Sequence, residues 1–195
     1  MRIRVRLERR WFPCMVLGLA LAAGSGVPAQ APAGRKPTRL AAKGVALPSA
    51  AAVLHGKSGT QVEGEAEFTQ DAGKVTLSLK VRNASPGAHA VHLHEVGDCS
   101  DPEAKSAGPH WNPGATKHGK WGETCHMGDI GNVEVNEHGE GSLVLTTDLW
   151  TIGGDPKSDI LGKSLIVHAQ PDDFQTQPTG NAGGRIACGV VETKK

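Results

Sequence analysis

Tyrosine is absent from this 195-residue chain, and three phenylalanines with four tryptophans hold aromatics to 4%. A core of stacked aromatic rings is therefore excluded, and Val, Leu, Ile and Ala must fill it. Long apolar runs are missing as well. Trp11 to Ala23 falls short of the roughly 20 residues that a membrane-spanning helix needs. Cysteine is scarce: only four are present, and Cys14 sits inside that apolar run, away from any small-residue boundary where a lipidated cysteine would lie. Glycine and proline, at 26 and 12, are plentiful and favour many turns, as in an all-β sandwich or barrel. One domain is the natural expectation for this length. About 150 residues can bury roughly 70% of their unfolded surface, so a true core is available.

Net charge is nearly lacking too, at +1, but the total hides an asymmetry. Residues 1–29 hold five arginines and one glutamate, and residues 30–48 add Arg35, Lys36, Arg39 and Lys43. The remaining stretch, 49–195, sets twelve cations against nineteen anions, or −7. An acidic domain argues against nucleic acid as a partner. The arginines from Arg2 to Arg10, the short apolar run and the small residues near Ala29 read as a signal peptide over 1–29. Residues 30–48, rich in Ala, Pro, Gly and basic side chains, read as a flexible linker. The folded domain is expected over 49–195, secreted and without stable membrane insertion.

From Ala51 the apolar period turns to two. Candidate strands are Ala51–His55, Gln61–Thr69, Lys74–Asn83, Ala88–Glu95, Gly131–Asn136, Gly141–Asp148, Ser164–Ala169 and Arg185–Val191. Val75, Leu77, Leu79 and Val81 alternate as a half-buried strand should. Asp71-Ala72-Gly73, Ser85-Pro86-Gly87 and Glu137-His138-Gly139 are turn signals. The fold class is all-β: an eight-stranded antiparallel Greek-key flattened barrel or sandwich with a long metal-binding loop.

The loop is where histidine concentrates. Five histidines and an aspartate lie between His92 and Asp129. His92 and His94, two apart on a strand, point to one face, with Val91 and Leu93 toward the core. His110, His118 and His126 follow at steps of eight, with Asp129 three further on. Glycines and prolines throughout this part mark a loop, and a long loop without regular structure is usually functional or disordered. Three nitrogens and a carboxylate oxygen, from His110, His118, His126 and Asp129, suit a closed tetrahedral zinc site. His92 and His94 are left for a second metal richer in imidazole, for which copper is the reasonable choice.

The motifs Gly87–Glu95, Gly97-Asp98-Cys99-Ser100, Ser106–Pro113, Lys117-His118-Gly119, Gly128–Asn132, Leu165-Ile166-Val167-His168 and Gly180–Val190 resemble, in order, those of the copper,zinc superoxide dismutases. The likeness runs from about residue 50 to 191. It implies that His92, His94 and His168 bind copper, that His118, His126 and Asp129 bind zinc, and that His110 bridges the two as an imidazolate. It implies a second role for Asp172, accepting hydrogen bonds from His92 and His118, and a disulfide between Cys99 and Cys188, which leaves Cys125 as the odd thiol. It further implies that Arg185 sits beside the copper site and draws in the anionic substrate, superoxide. His89 should face away from copper and brace the barrel. Trp111 and Trp121 should pack.

The implied reaction is disproportionation of superoxide to oxygen and hydrogen peroxide, with copper alternating between oxidation states. Two rivals remain open on the residues alone: a copper carrier on the same fold, and a structural sandwich held by zinc. The full ligand set, Arg185 and Asp172 speak against the carrier, which needs neither a bridging His110 nor a guanidinium. Only eleven residues separate His168 from Gly180, so the loop walling the site is short. That feature and the Gly97–Ser100 placement look more bacterial than animal and imply a periplasmic location. Oligomeric state does not follow, and a homodimer stays open.

Overall fold

The computed structural model describes residues 47–194. The expected signal peptide and nearly all of the expected linker lie outside the described residues. Nine strands follow in chain order: β1 (Ser49–Gly56), β2 (Glu63–Asp71), β3 (Lys74–Arg82), β4 (Gly87–His94), β5 (Asp129–Val135), β6 (Gly141–Thr147), β7 (Ser164–His168), β8 (Arg185–Val190) and β9 (Glu192–Thr193). The eight long strands are those expected from the period-two pattern, with ends shifted by one or two residues. β9 is an addition, too short to carry a pattern of its own. The one helical element among the described residues is a 3-10 turn, Lys105–Ala107.

The strands are neighbours in the order β2, β3, β6, β5, β4, β7, β8, β1, and β1 pairs back on β2. Every ladder is antiparallel, so the sheet closes on itself as an eight-stranded barrel. Closure removes the edges that would otherwise invite aggregation. β3 pairs with β6 rather than β4, and β4 pairs with β7, which makes the connections Greek-key.

β3 shows why the sequence folds this way. Val75, Leu77, Leu79 and Val81 are buried, while Lys74, Lys80 and Arg82 face water. Opposite it, Ala66 and Phe68 of β2 point inward and Glu63 faces Arg82 across the ladder. Leu54, Val91, Leu93, Val133, Leu165 and Val167 complete an aliphatic core. Phe68 and Trp150 add large rings to it, with centroids 6.3 Å apart, and Trp111 is a third. Fully burying such side chains stabilises by about 1.5–3 kcal/mol each, before entropy is counted.

β4 departs from the expectation of one polar face. All six residues from His89 to His94 are buried. The core covers Val91 and Leu93, and the long loop folds over the other side. Trp111 N–H donates to Leu93 O at 2.9 Å, Leu93 N–H donates to Gly128 O at 2.9 Å, and His94 pairs with His110. The loop thus adds its own rungs to β4 and seals the histidines from water.

Candidate metal centre

Two bulges aim the strand histidines. Val91 faces Gly131 but His92 faces Asp129, so Ile130 is an extra residue on β5. Val167 faces Ala187 but His168 faces Arg185, so Ile186 is an extra residue on β8. A bulge turns a side chain or shifts a register. Here the two shifts bring Asp129 beside His92 and Arg185 beside His168. Nothing in the alternating pattern of the sequence signals them.

The structure gathers the seven expected ligands into two overlapping groups. His92, His94, His110 and His168 offer one nitrogen each within 4.8 Å of one another, as do the ligand atoms of His110, His118, His126 and Asp129. All seven residues are buried. His110 belongs to both groups.

Hydrogen bonds decide which nitrogen each ring presents. His92 Nε2–H donates to Asp172 Oδ2 and His118 Nε2–H to Asp172 Oδ1, both at 2.9 Å. Their Nδ1 atoms then carry lone pairs. His94 Nδ1–H donates to Gly108 O at 2.8 Å, and His168 Nδ1 faces Gly183 O at 3.4 Å. A carbonyl only accepts, so Nε2 of each ring carries the lone pair, and these two Nε2 atoms lie 3.4 Å apart. On the other side, Asp129 Oδ1 is 2.9 Å from His110 Nδ1, 3.0 Å from His118 Nδ1 and 3.3 Å from His126 Nδ1. Asp129 Oδ2 is already engaged by the backbone N–H groups of His126 and Gly119. Lone pair thus faces lone pair at the centre of each group. His92 Nδ1, His110 Nε2, His118 Nδ1 and His126 Nδ1 are buried without a hydrogen-bond partner. Unpaired buried acceptors are costly. A cation at each centre satisfies them, so the donor chemistry fits two metal ions.

Electrostatics keep the ligands in the binding form. Burial pushes the His92 and His94 imidazoles far below their ordinary value and takes His168 down to about 3. Burial also lowers His126. These rings are neutral at neutral pH, as metal ligation requires. Burial alone would raise the Asp129 carboxyl. The hydrogen bonds from the His110 ring and the His126 N–H, with the imidazoles clustered around the carboxylate, outweigh it and hold the group at about 2.

Asp172 and Arg185 approach the groups from different sides. Asp172 is buried and spans the two groups through His92 and His118. Arg185 is half-buried and donates from Nη1 to Ala104 O at 2.6 Å and from Nη2 to Gly108 O at 2.7 Å. Gly108 O is the same carbonyl that holds His94. A cavity of about 620 Å³ opens over the loop that carries His110 and His126, which line it with Lys117, Lys157 and Lys163. Lys163 lies over the Trp111 ring at 5.4 Å and reaches Glu95 O. Cys99 and Cys188 form a disulfide. Cys125 is free and half-buried rather than fully buried. Burial first, and then Asp129, push its thiol up, which makes it a poor nucleophile.

His89 is buried away from the groups, with Nδ1 on His168 O at 2.8 Å and Nε2 on Ser85. Trp121 packs edge-on to Trp150 at 5.5 Å, and Trp111 is buried.

Three contributors were missed in the sequence. Asn132 holds Asp172 by its main chain, donating from Nδ2 to Asp172 O and accepting from Asp172 N–H. Gln177 clamps both the N–H and the C=O of His118. Gly180 has φ of 65°, and a Cβ there would collide with Asp172 Oδ1 and His118 Nε2. Asn132 and Gly180 sit inside quoted motifs, so a signal existed. Gln177 lies in irregular chain and gave none.

The sequence signature of copper/zinc superoxide dismutase matches residues 62–191. The chain belongs to the copper/zinc superoxide dismutase family. Extracellular superoxide dismutase [Cu-Zn] of Brugia pahangi is 38% identical over 153 residues, covering 73% of this chain and 75% of the relative. Superoxide dismutase [Cu-Zn] 1 of Aquifex aeolicus is 38% identical over 134 residues, covering 66% and 79%. The crystal structure of the clock protein EA4 superposes with a TM-score of 0.68 at 34% identity, covering 77% of this chain and 97% of that one. As a copper/zinc superoxide dismutase, the chain catalyses superoxide dismutation with copper and zinc as cofactors. The carrier and the zinc-only sandwich are thereby set aside.

Proposed function

We propose that copper is held by His92 Nδ1 and by Nε2 of His94, His110 and His168, and zinc by Nδ1 of His110, His118 and His126 with Asp129 Oδ1. The observation that carries this is the convergence of lone pairs, one set on each side of His110. Copper supplies one-electron redox chemistry, whereas zinc is redox-silent and closes its own site. His110 faces both centres and is the proton carrier. Its Nε2, once released from copper, would take up a proton from water in the half-cycle that releases oxygen and give it up in the half-cycle that forms hydrogen peroxide. Two superoxides and two protons thus become one oxygen and one hydrogen peroxide, with the second proton from water. Nδ1, facing the zinc ligands, keeps the ring in place while Nε2 exchanges its proton. Asp172 orients His92 and His118 together, as outer carboxylates do for metal-bound imidazoles. Arg185 draws in the anion, which the acidic domain otherwise repels. Metal content and superoxide turnover on one purified sample test this reading. Turnover should track copper, and full turnover without copper would overturn it.

The same reading takes residues 1–29 as a signal peptide cut after Ala29, residues 30–48 as a linker, and 49–195 as the enzyme domain. Secretion is supported by the basic start of the chain and by the extracellular relative from Brugia pahangi. The short 169–179 segment favours the periplasm. Sequencing the exported protein should find Gln30 first, and a retained Met1 would overturn it.

A further inference from the structure

The turn after β1 carries no metal-binding residue, yet it grips both segments that hold Arg185. The main chain of Arg185 belongs to β8. Its guanidinium rests on Ala104 O and Gly108 O, which belong to the loop after Cys99. The spacing between these segments therefore sets where the guanidinium points. The disulfide joins them at Cys99 and Cys188, five residues before Ala104 and three after Arg185. Ala104 and Ala107 of the same loop pack on Ile166 and Cys188, which ties the segments a second time.

We propose that Lys57 and Ser58 form a hook that sets this spacing and positions Arg185. On the β8 side, Ser58 Oγ donates to the carbonyl of Arg185 itself at 2.8 Å. Lys57 N–H and Thr60 Oγ1 donate to Ile186 O, the carbonyl of the bulged residue, at 2.8 and 2.7 Å. On the loop side, Ser58 N–H donates to Pro102 O at 2.8 Å and Lys57 Nζ donates to Cys99 O. Two adjacent residues thus bridge the two supports of one guanidinium. Ser58 adopts φ of 54°, the left-handed region that non-glycine residues seldom occupy. Such conformations persist where the surroundings over-determine them. Because Gly108 O also accepts from His94, the hook, Arg185 and His94 share one chain of contacts.

The hook rests on the reading of Arg185 as the anion guide, and the experiment separates the two. Ser58→Ala with Lys57→Met is compared with Arg185→Gln and with all three changes together, in the metal-loaded protein. The hook variant should keep both metals and lose about 3- to 10-fold in kcat/KM, since a shift of about 1 Å at a positioning group can cost on the order of 100-fold. Lys57→Arg should restore most of the loss due to Lys57→Met. In the Arg185→Gln background the hook substitutions should cost nothing more, because a double-mutant cycle exposes shared function. Equal losses in both backgrounds would make the hook merely structural and overturn the proposal. Full turnover of the hook variant removes the hook alone. Full turnover of Arg185→Gln removes the reading of Arg185 and the hook with it.

Discussion

The two halves of the metal centre are built from different material. His92, His94 and His168 hang on β4 and β7, adjacent strands joined rung by rung from Val91–Val167 to His94–Ser164. His110, His118 and His126 hang on a loop without regular structure beyond its contacts to β4, and Asp129 stands at the first residue of β5. Ladder hydrogen bonds fix the first set whether or not a metal is bound. The second set is held by small clamps: Asn112 on Thr116, Gln177 on His118, Asp129 Oδ2 on two backbone N–H groups. Its acceptors face one another, so without a cation the loop is folded against repulsion. On the proposed assignment, the difference would let one chain keep a reaction centre rigid while a structural ion closes its cover.

The sharpest way to break this contrast is to remove one strand ligand. His168→Ala should reduce superoxide turnover to background while zinc content and the barrel persist; loss of zinc along with copper would mean the halves are not separable. Next in size is Arg185→Glu. Electrostatic steering, for which superoxide dismutase is the standard example, spans about 10- to 10³-fold in on-rate. kcat/KM should fall within that range at low salt with both metals retained. The gap to the unaltered protein should narrow as salt rises, because screening acts over about 8–10 Å at 0.1–0.15 M. Asp172→Ala joins the halves in a different way. It should weaken retention of both metals by about 10- to 100-fold, and a loss confined to one metal would show that the carboxylate serves that side alone.

The smallest effect near neutral pH, and the most discriminating, is acid on the metal-free protein. His92, His94 and His168 have folded-state values below the ordinary 6.5. The unfolded chain therefore takes up protons first. Stability is complete above about 6.5 and falls as pH drops below it, by up to about 1.4 kcal/mol per histidine per pH unit. Asp129, held at about 2 against an ordinary 3.8, adds its loss only below 3.8. Denaturant melts at pH 7, 6 and 5 should show stability falling at each step. A flat profile over that range would mean the buried imidazoles are not held neutral.

Much of this was legible in the sequence, for physical reasons. Side chains alternate along a strand, so Val75 to Val81 announced β3 and eight strands could be counted. His92 and His94 shared a face by the same rule. The pairing order was harder, because β3 passes over β4 to reach β6 and no local pattern encodes that. The bulges at Ile130 and Ile186 were invisible, since an inserted residue looks like any other apolar one. The clamps by Asn132 and Gln177 reach across 40 and 59 positions and depend on three-dimensional closure. The hook at Lys57 and Ser58 carried no signal, because its partners lie on β8 and the loop after Cys99.

Amide hydrogen exchange on the metal-free and zinc-loaded chain tests the contrast between the halves most directly. β4 and β7 should be protected in both states, while amides between 112 and 128 should gain protection only when zinc is added. Equal protection of that loop in the metal-free chain, or exchange of β4 as fast as the loop, would contradict it.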